Sequence, residues 1–92
     1  VVLTVLDAFR KAGLRRGERI LIQSAAGGVG WAAMQIAAHL GARIYATAGS
    51  AEKVEFLRRN GAVAAIDYLQ QDFEQEIMRL TDGQGVDVVL NT

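Results

Sequence analysis

Along the first dozen positions apolar residues fall at Val2, Leu3, Leu6, Phe9 and Ala12, and this spacing of three and four predicts a helix over Val1 to Gly13. A basic turn, Leu14 to Glu18, leads into Arg19-Ile20-Leu21-Ile22-Gln23. That short apolar run bounded by polar residues reads as a buried strand. After the turn at Gly27 and Gly28, an alanine-rich helix is expected from Val29 to Leu40, with Met34, Ile36 and Ala37 inward and Gly41 closing it. The alternation then repeats. A strand is expected at Arg43–Thr47, and a helix at Ala51–Arg59 with Val54, Leu57 and Phe56 on its apolar side. A strand at Val63–Ile66, a helix at Gln70–Leu80 and a strand at Val86–Leu90 complete the order.

Strands that alternate with helices imply parallel pairing and right-handed crossovers, so the helices cover the faces of one sheet. Residues 1–92 are read as a single α/β unit with about four strands. The pattern stops on a strand, from which we expect these residues to be part of a longer protein.

Composition narrows the chemistry. Ten basic and ten acidic residues cancel, so no excess charge points to nucleic acid or to an anionic membrane. With no cysteine and a single histidine, His39, there is no disulfide framework, no thiol nucleophile and no multi-histidine metal site. No uncharged run reaches membrane-spanning length, and a cytoplasmic location is expected.

The chemistry concentrates at Ser24-Ala25-Ala26-Gly27-Gly28-Val29-Gly30, between a predicted strand and a predicted helix. Dinucleotide-binding turns of the G-x-G-x-x-G type occupy this place. One glycine permits the tight turn, the next lets a pyrophosphate approach the backbone, and the third lets helix and strand pack closely. Gly27 and Gly30 match the second and third, and Ala25 replaces the first. A phosphate at such a turn meets unpaired N–H groups and the positive end of a helix. The bland alternative is that these glycines merely serve a tight connection in another doubly wound protein.

The end of the second strand bears on the cofactor. An NAD site usually carries an acid about 20 residues past the fingerprint, bonded to the ribose 2′-hydroxyl. That stretch here is Ala46-Thr47-Ala48-Gly49-Ser50-Ala51-Glu52-Lys53, with Ala48 where the acid would stand. Without it a 2′-phosphate is not repelled, and NADPH is preferred to NADH. Ser50 reads as a helix N-cap. Lys53, in the first turn, opposes the helix dipole unless an anion joins it.

These two runs, with Gly85-Val86-Asp87-Val88-Val89-Leu90-Asn91, resemble the zinc-independent medium-chain dehydrogenase/reductases. Within them the chain is similar to the quinone oxidoreductase branch, and above all to the enoylreductase domains of polyketide and fatty acid synthases. The resemblance implies a Rossmann-type doubly wound parallel sheet, here partial, from a larger two-domain reductase whose catalytic domain is absent. It implies that Ala26, Gly27, Gly28, Val29 and Gly30 form the pyrophosphate turn. Gly49, Ser50 and Lys53 would form the 2′-phosphate pocket, with Tyr68 closing over it and Asn91 beside the nicotinamide ribose. It implies NADPH as cofactor, a free or carrier-bound enoyl thioester as substrate, and room for a homodimer in the parent protein.

Hydride would pass to the β-carbon of the enoyl thioester, with protonation at the α-carbon. No catalytic residue is assigned, and the 92 residues alone are expected to be inactive. The alternatives are a free-standing NADPH:quinone oxidoreductase, a non-catalytic NADPH-binding protein, and a methyltransferase, against which Ala48 argues. Elsewhere the bland readings lead. Trp31 is expected to pack or to meet an interface, Tyr45 to be core and Asp87 to make a structural hydrogen bond. His39 should cap carbonyls or meet solvent, and Arg15, Arg16, Arg58 and Arg59 should be solvated.

Overall fold

The computed structural model describes residue 13, residues 15–23 and residues 25–91, the side chains of Val29 and Asn91 excepted. The helix expected at the start of the chain lies, but for Gly13, outside these residues. Seven elements follow in strict alternation: β1 (Arg19–Gln23), α1 (Gly28–His39), β2 (Arg43–Ala48), α2 (Ala51–Arg59), β3 (Ala64–Asp67), α3 (Phe73–Leu80) and β4 (Val88–Asn91). All strand pairs are parallel, in the spatial order β3-β2-β1-β4. The chain therefore reverses its lateral direction after β3, as a doubly wound sheet does.

Strand alternation assigns the two faces. Ile20 and Ile22 of β1 and Ile44, Ala46 and Ala48 of β2 point to one face, where they meet Ala33, Met34 and Ala37 of α1 and Leu57 of α2. The alanines are small enough for α1 to lie close on the sheet. Ile20, Ile22, Met34, Ile44 and Leu57 are fully buried, each contributing about 1.5–3 kcal/mol of apolar transfer. On the opposite face Leu21, Tyr45 and Ile66 pack against Ile77 of α3. Tyr45 is thus core, as its place in an apolar strand predicts.

The element ends have local causes. Past α1 the chain turns through Gly41 at φ +80°, while the amides of Gly41 and Ala42 donate to Ala38 and Ala37. A Cβ at Gly41 would also stand 2.8 Å from the Arg16 side chain. Ser50 caps α2 by accepting from the Lys53 amide.

α3 starts at Phe73, three residues later than periodicity predicts. The amides of Gln70 and Gln71 both donate to the Asp67 carbonyl, and Asp72 is the residue that caps the helix. β3 and β4 likewise start one and two residues later than expected. Before β4, the Asp87 carboxylate accepts from the Arg19 amide at 2.8 Å, the structural bond expected of it.

Two expected core positions differ. Phe56 is 45% exposed, because two residues after Val54 the helix has turned about 200°. Its ring meets Trp31 instead, at 5.1 Å between centroids. Leu80 is also exposed and is not among the side chains packed on the Leu21 cluster.

Candidate nucleotide-binding site

The turn after β1 begins with Ala25, whose amide donates to the Thr47 carbonyl at 3.0 Å and whose methyl is fully buried in the core. Its φ is not positive, so an L-residue fits where the general pattern has glycine. Gly27 then caps α1 with extended geometry, φ −75° and ψ 169°, and offers no side-chain acceptor to the amides behind it. The first turn of α1 also holds no acidic residue.

The other two helices differ on both counts. α2 has Ser50 and Glu52 at its start, and α3 has Asp72, Glu74 and Glu76. Of the three, α1 alone presents bare first-turn amides with the positive end of its dipole. This end lies at the carboxyl edge of the sheet, between β1 and β2.

A cleft of about 290 Å³ opens at this edge. Its walls are Ala26, Gly27, Ala48, Gly49, Lys53 and Tyr68. No carboxylate lines it. Tyr68 follows β3, and its amide donates to the Ala48 carbonyl at 3.1 Å, which extends the β2–β3 ladder by one step. The ring is thereby seated over Gly49: a Cβ on Gly49 would stand 2.9 Å from the phenol oxygen and 3.2 Å from Cζ. Lys53, also a wall residue, is exposed. The ion pairs of the described residues lie elsewhere, between Glu55 and Arg58 or Arg59 and between Glu76 and Arg79. The Lys53 ammonium is thus left to face the cleft or water.

Of the residues singled out by sequence, the cleft gathers Ala26, Gly27, Gly49, Lys53 and Tyr68. Gly28, Val29 and Gly30 form the first turn of α1, behind the wall. The Ser50 hydroxyl serves the Lys53 amide as a cap, and Ser50 is not a wall residue. Asn91 ends β4 opposite Gln23 of β1, on the far side of β1 from β2.

Sequence reasoning did not count Ala48 as a wall residue, although the absent acid marked the position. It also missed an adjoining groove of about 600 Å³ under the loop from Tyr68 to Phe73, with Gln23 and Thr47 as its floor. Tyr68 divides this groove from the cleft. The signal for that loop was Asp67, whose carboxylate accepts from the Leu69 amide and turns the chain after β3.

A parallel α/β sheet with a bare helix N-terminus and an acid-free cleft at its carboxyl edge defines a class: nucleotide-binding units of the doubly wound type. More particularly, the chain belongs to the zinc-binding dehydrogenase family, whose profile matches residues 28–92. Among the described residues no three or more His, Cys, Asp or Glu side chains cluster as metal ligands would.

The chain is 58% identical over 79 residues to a phenolphthiocerol/phthiocerol polyketide synthase of Mycobacterium tuberculosis, covering 86% of this chain and 4% of that protein. It is similar to the solved nucleotide-binding subdomain of the enoylreductase domain of PpsC from Mycobacterium tuberculosis. There the TM-score is 0.91 at 53% identity, over 99% of this chain and 51% of that one. The Escherichia coli quinone oxidoreductase complexed with NADPH also superposes with a TM-score of 0.91, at 36% identity, over 99% of this chain and 28% of that one. The likeness is to the enoylreductase-like, zinc-independent branch of the medium-chain reductases, as the motifs imply. The chain spans about 4% of the curated synthases it matches and between a quarter and about half of the solved structures. Among the described residues no helix is long and apolar enough to cross a membrane.

Proposed function

We propose that these residues are the adenosine-side half of an NADPH site in a polyketide synthase enoylreductase. The observation that carries the reading is the cleft itself: one lysine, one tyrosine and glycine backbone around a space that no carboxylate lines. The residues fit the group. The first-turn amides of α1, Gly28, Val29 and Gly30, would receive the diphosphate at the positive end of the helix. The Lys53 ammonium and the Tyr68 hydroxyl would hold the 2′-phosphate through charge-assisted hydrogen bonds. The anion would offset the strain of a cation in the first turn of α2. The groove beyond Tyr68, lined by Gln23, Thr47 and residues 68–73, would take the base.

When bound, the dinucleotide supplies a hydride for the β-carbon of an α,β-unsaturated acyl thioester. The chain's own part is to bind and orient; Asn91, at the end of β4, stands on the side of β1 away from the 2′-phosphate pocket, toward the nicotinamide half. A catalytic domain, a cytoplasmic setting and a homodimeric parent belong to the same reading. The synthase relatives at 45–58% identity support it over a free-standing quinone reductase, for which the identity is 36–41%.

The direct test compares 2′,5′-ADP with 5′-ADP by calorimetric titration, because both probe the adenosine half alone. We expect 2′,5′-ADP to bind about ten-fold tighter or better. Equal affinities would remove the case for NADPH. In the parent protein, reduction of a crotonyl thioester but not of a simple quinone separates the two enzymes. The 92 residues alone should turn over neither.

A further inference from the structure

α1 and α2 start after adjacent strands at the carboxyl edge and pack on the same face of the sheet. Trp31 of α1 meets Phe56 of α2, with ring centroids 5.1 Å apart and planes at 45°. In such tilted pairs the edge of one ring is drawn to the face of the other. Each ring stands close in the chain to one of the two points offered to an anion. Trp31 follows Gly30, and its amide donates to the Gly27 carbonyl at 2.8 Å, which closes the first turn of α1. Phe56 comes three residues after Lys53, so the two are neighbours on the surface of α2, and Lys53 lines the cleft. The core does not account for Phe56. It is 45% exposed, whereas the adjacent Leu57 is fully buried against the sheet.

We infer that Trp31 and Phe56 are a positioning pair for the nucleotide site: their contact sets the distance between the first-turn amides of α1 and the Lys53 ammonium on α2. The inference rests on the proposed reading of that site. A diphosphate held at α1 alone needs no fixed distance to α2. A nucleotide that also carries a 2′-phosphate must meet both helices at once, and it gains the second contact with little loss of freedom only where the two are already in place. The pair therefore acts on the discrimination between the 2′-phosphorylated and the plain nucleotide rather than on the diphosphate. Neither ring is a wall of the cleft, so the effect reaches the ligand through the placement of the two helices and not by contact.

The test is calorimetric titration of 2′,5′-ADP and 5′-ADP into a full-length protein that carries these residues, read as the ratio of the two Kd values. Phe56→Ala should lower the preference for 2′,5′-ADP about five-fold and change the Kd of 5′-ADP about two-fold or less. Phe56→Tyr keeps a ring against Trp31 and should restore the preference. Met78→Ala removes a side chain of like exposure, 48%, from α3 on the other face and should leave the ratio unchanged. A preference that survives Phe56→Ala, or that Phe56→Tyr fails to restore, would overturn the inference while the reading of the site stands. A loss shared equally by both ligands would make the pair a support of α1 alone and would also overturn it. Equal affinities in the unmodified protein would overturn the reading of the site, and the positioning pair with it.

Discussion

The phenol oxygen of Tyr68 lies where a side chain on Gly49 would have to go: a Cβ at Gly49 would stand 2.9 Å from it. Gly49 is therefore fixed by the close approach of a ring from a different βα connection. Gly49→Ala should push the ring aside and raise the Kd for NADPH about ten-fold, with NADH changed about two-fold or less. Adding Tyr68→Ala removes the clash, so the double variant should bind no more weakly than Tyr68→Ala alone. Additive losses in calorimetric titrations would mean that the two residues do not act as one latch.

Lys53 faces the cleft from an exposed position and makes no ion pair among the described residues. Truncation should therefore spare the fold and weaken only ligands that carry a 2′-phosphate. Lys53→Ala is expected to lower NADPH affinity about ten- to thirty-fold and to leave NADH within about two-fold. The proposed preference for NADPH over NADH should shrink as salt rises, since the ammonium is exposed to screening. Equal losses for both nucleotides would place Lys53 outside the 2′-phosphate pocket.

Ala37 is fully buried where α1 crosses the sheet, and a larger residue there would lift the helix whose bare first-turn amides are proposed to receive the diphosphate. Ala37→Leu should cost about 1–3 kcal/mol in urea denaturation. It should also weaken both nucleotides, because the diphosphate is common to them. A destabilised variant that binds normally would show that the turn is held by β1 rather than by α1. The tie from the Ala25 amide to the Thr47 carbonyl is the contact that would then matter.

The architecture was legible because each strand is short, apolar and closed by glycine or polar residues, and each helix keeps its period. β1 and α2 fall on the predicted residues, and the others differ by a few residues at their ends. Those shifts have two causes, one long-range bond and one run of local turn bonds. β4 starts at Val88 because Asp87 is bonded to Arg19, and α3 starts at Phe73 because Asp67 and Asp72 consume the turn before it. Phe56 looked like core by composition, yet its angle on α2 takes it to Trp31. Gly49, Lys53 and Tyr68 were found by their likeness to a known turn and pocket. What sequence could not supply was the contact of Tyr68 with Gly49, whereas the Ser50 cap was read from its place before α2. That contact depends on the distance between two βα connections, which no local pattern encodes.

Thr81 makes a buried polar stitch outside the site. It is 3% exposed; its hydroxyl donates to the Ile77 carbonyl at 2.7 Å and accepts from the Gly85 amide at 2.8 Å. It thus ties the end of α3 to the loop that enters β4, a loop that contains Asp82 at φ +53° and Gly83 at φ +82°. Thr81→Val keeps the shape and leaves the Gly85 amide without its acceptor, so it should cost about 1–3 kcal/mol. Thr81→Ser keeps both bonds and should cost about 1 kcal/mol or less, for the missing methyl. Neither should alter the ratio of NADPH to NADH affinity, because the stitch lies at the far side of the sheet from Lys53. Equal losses for valine and serine in urea denaturation would show that the methyl, not the hydroxyl, holds this loop.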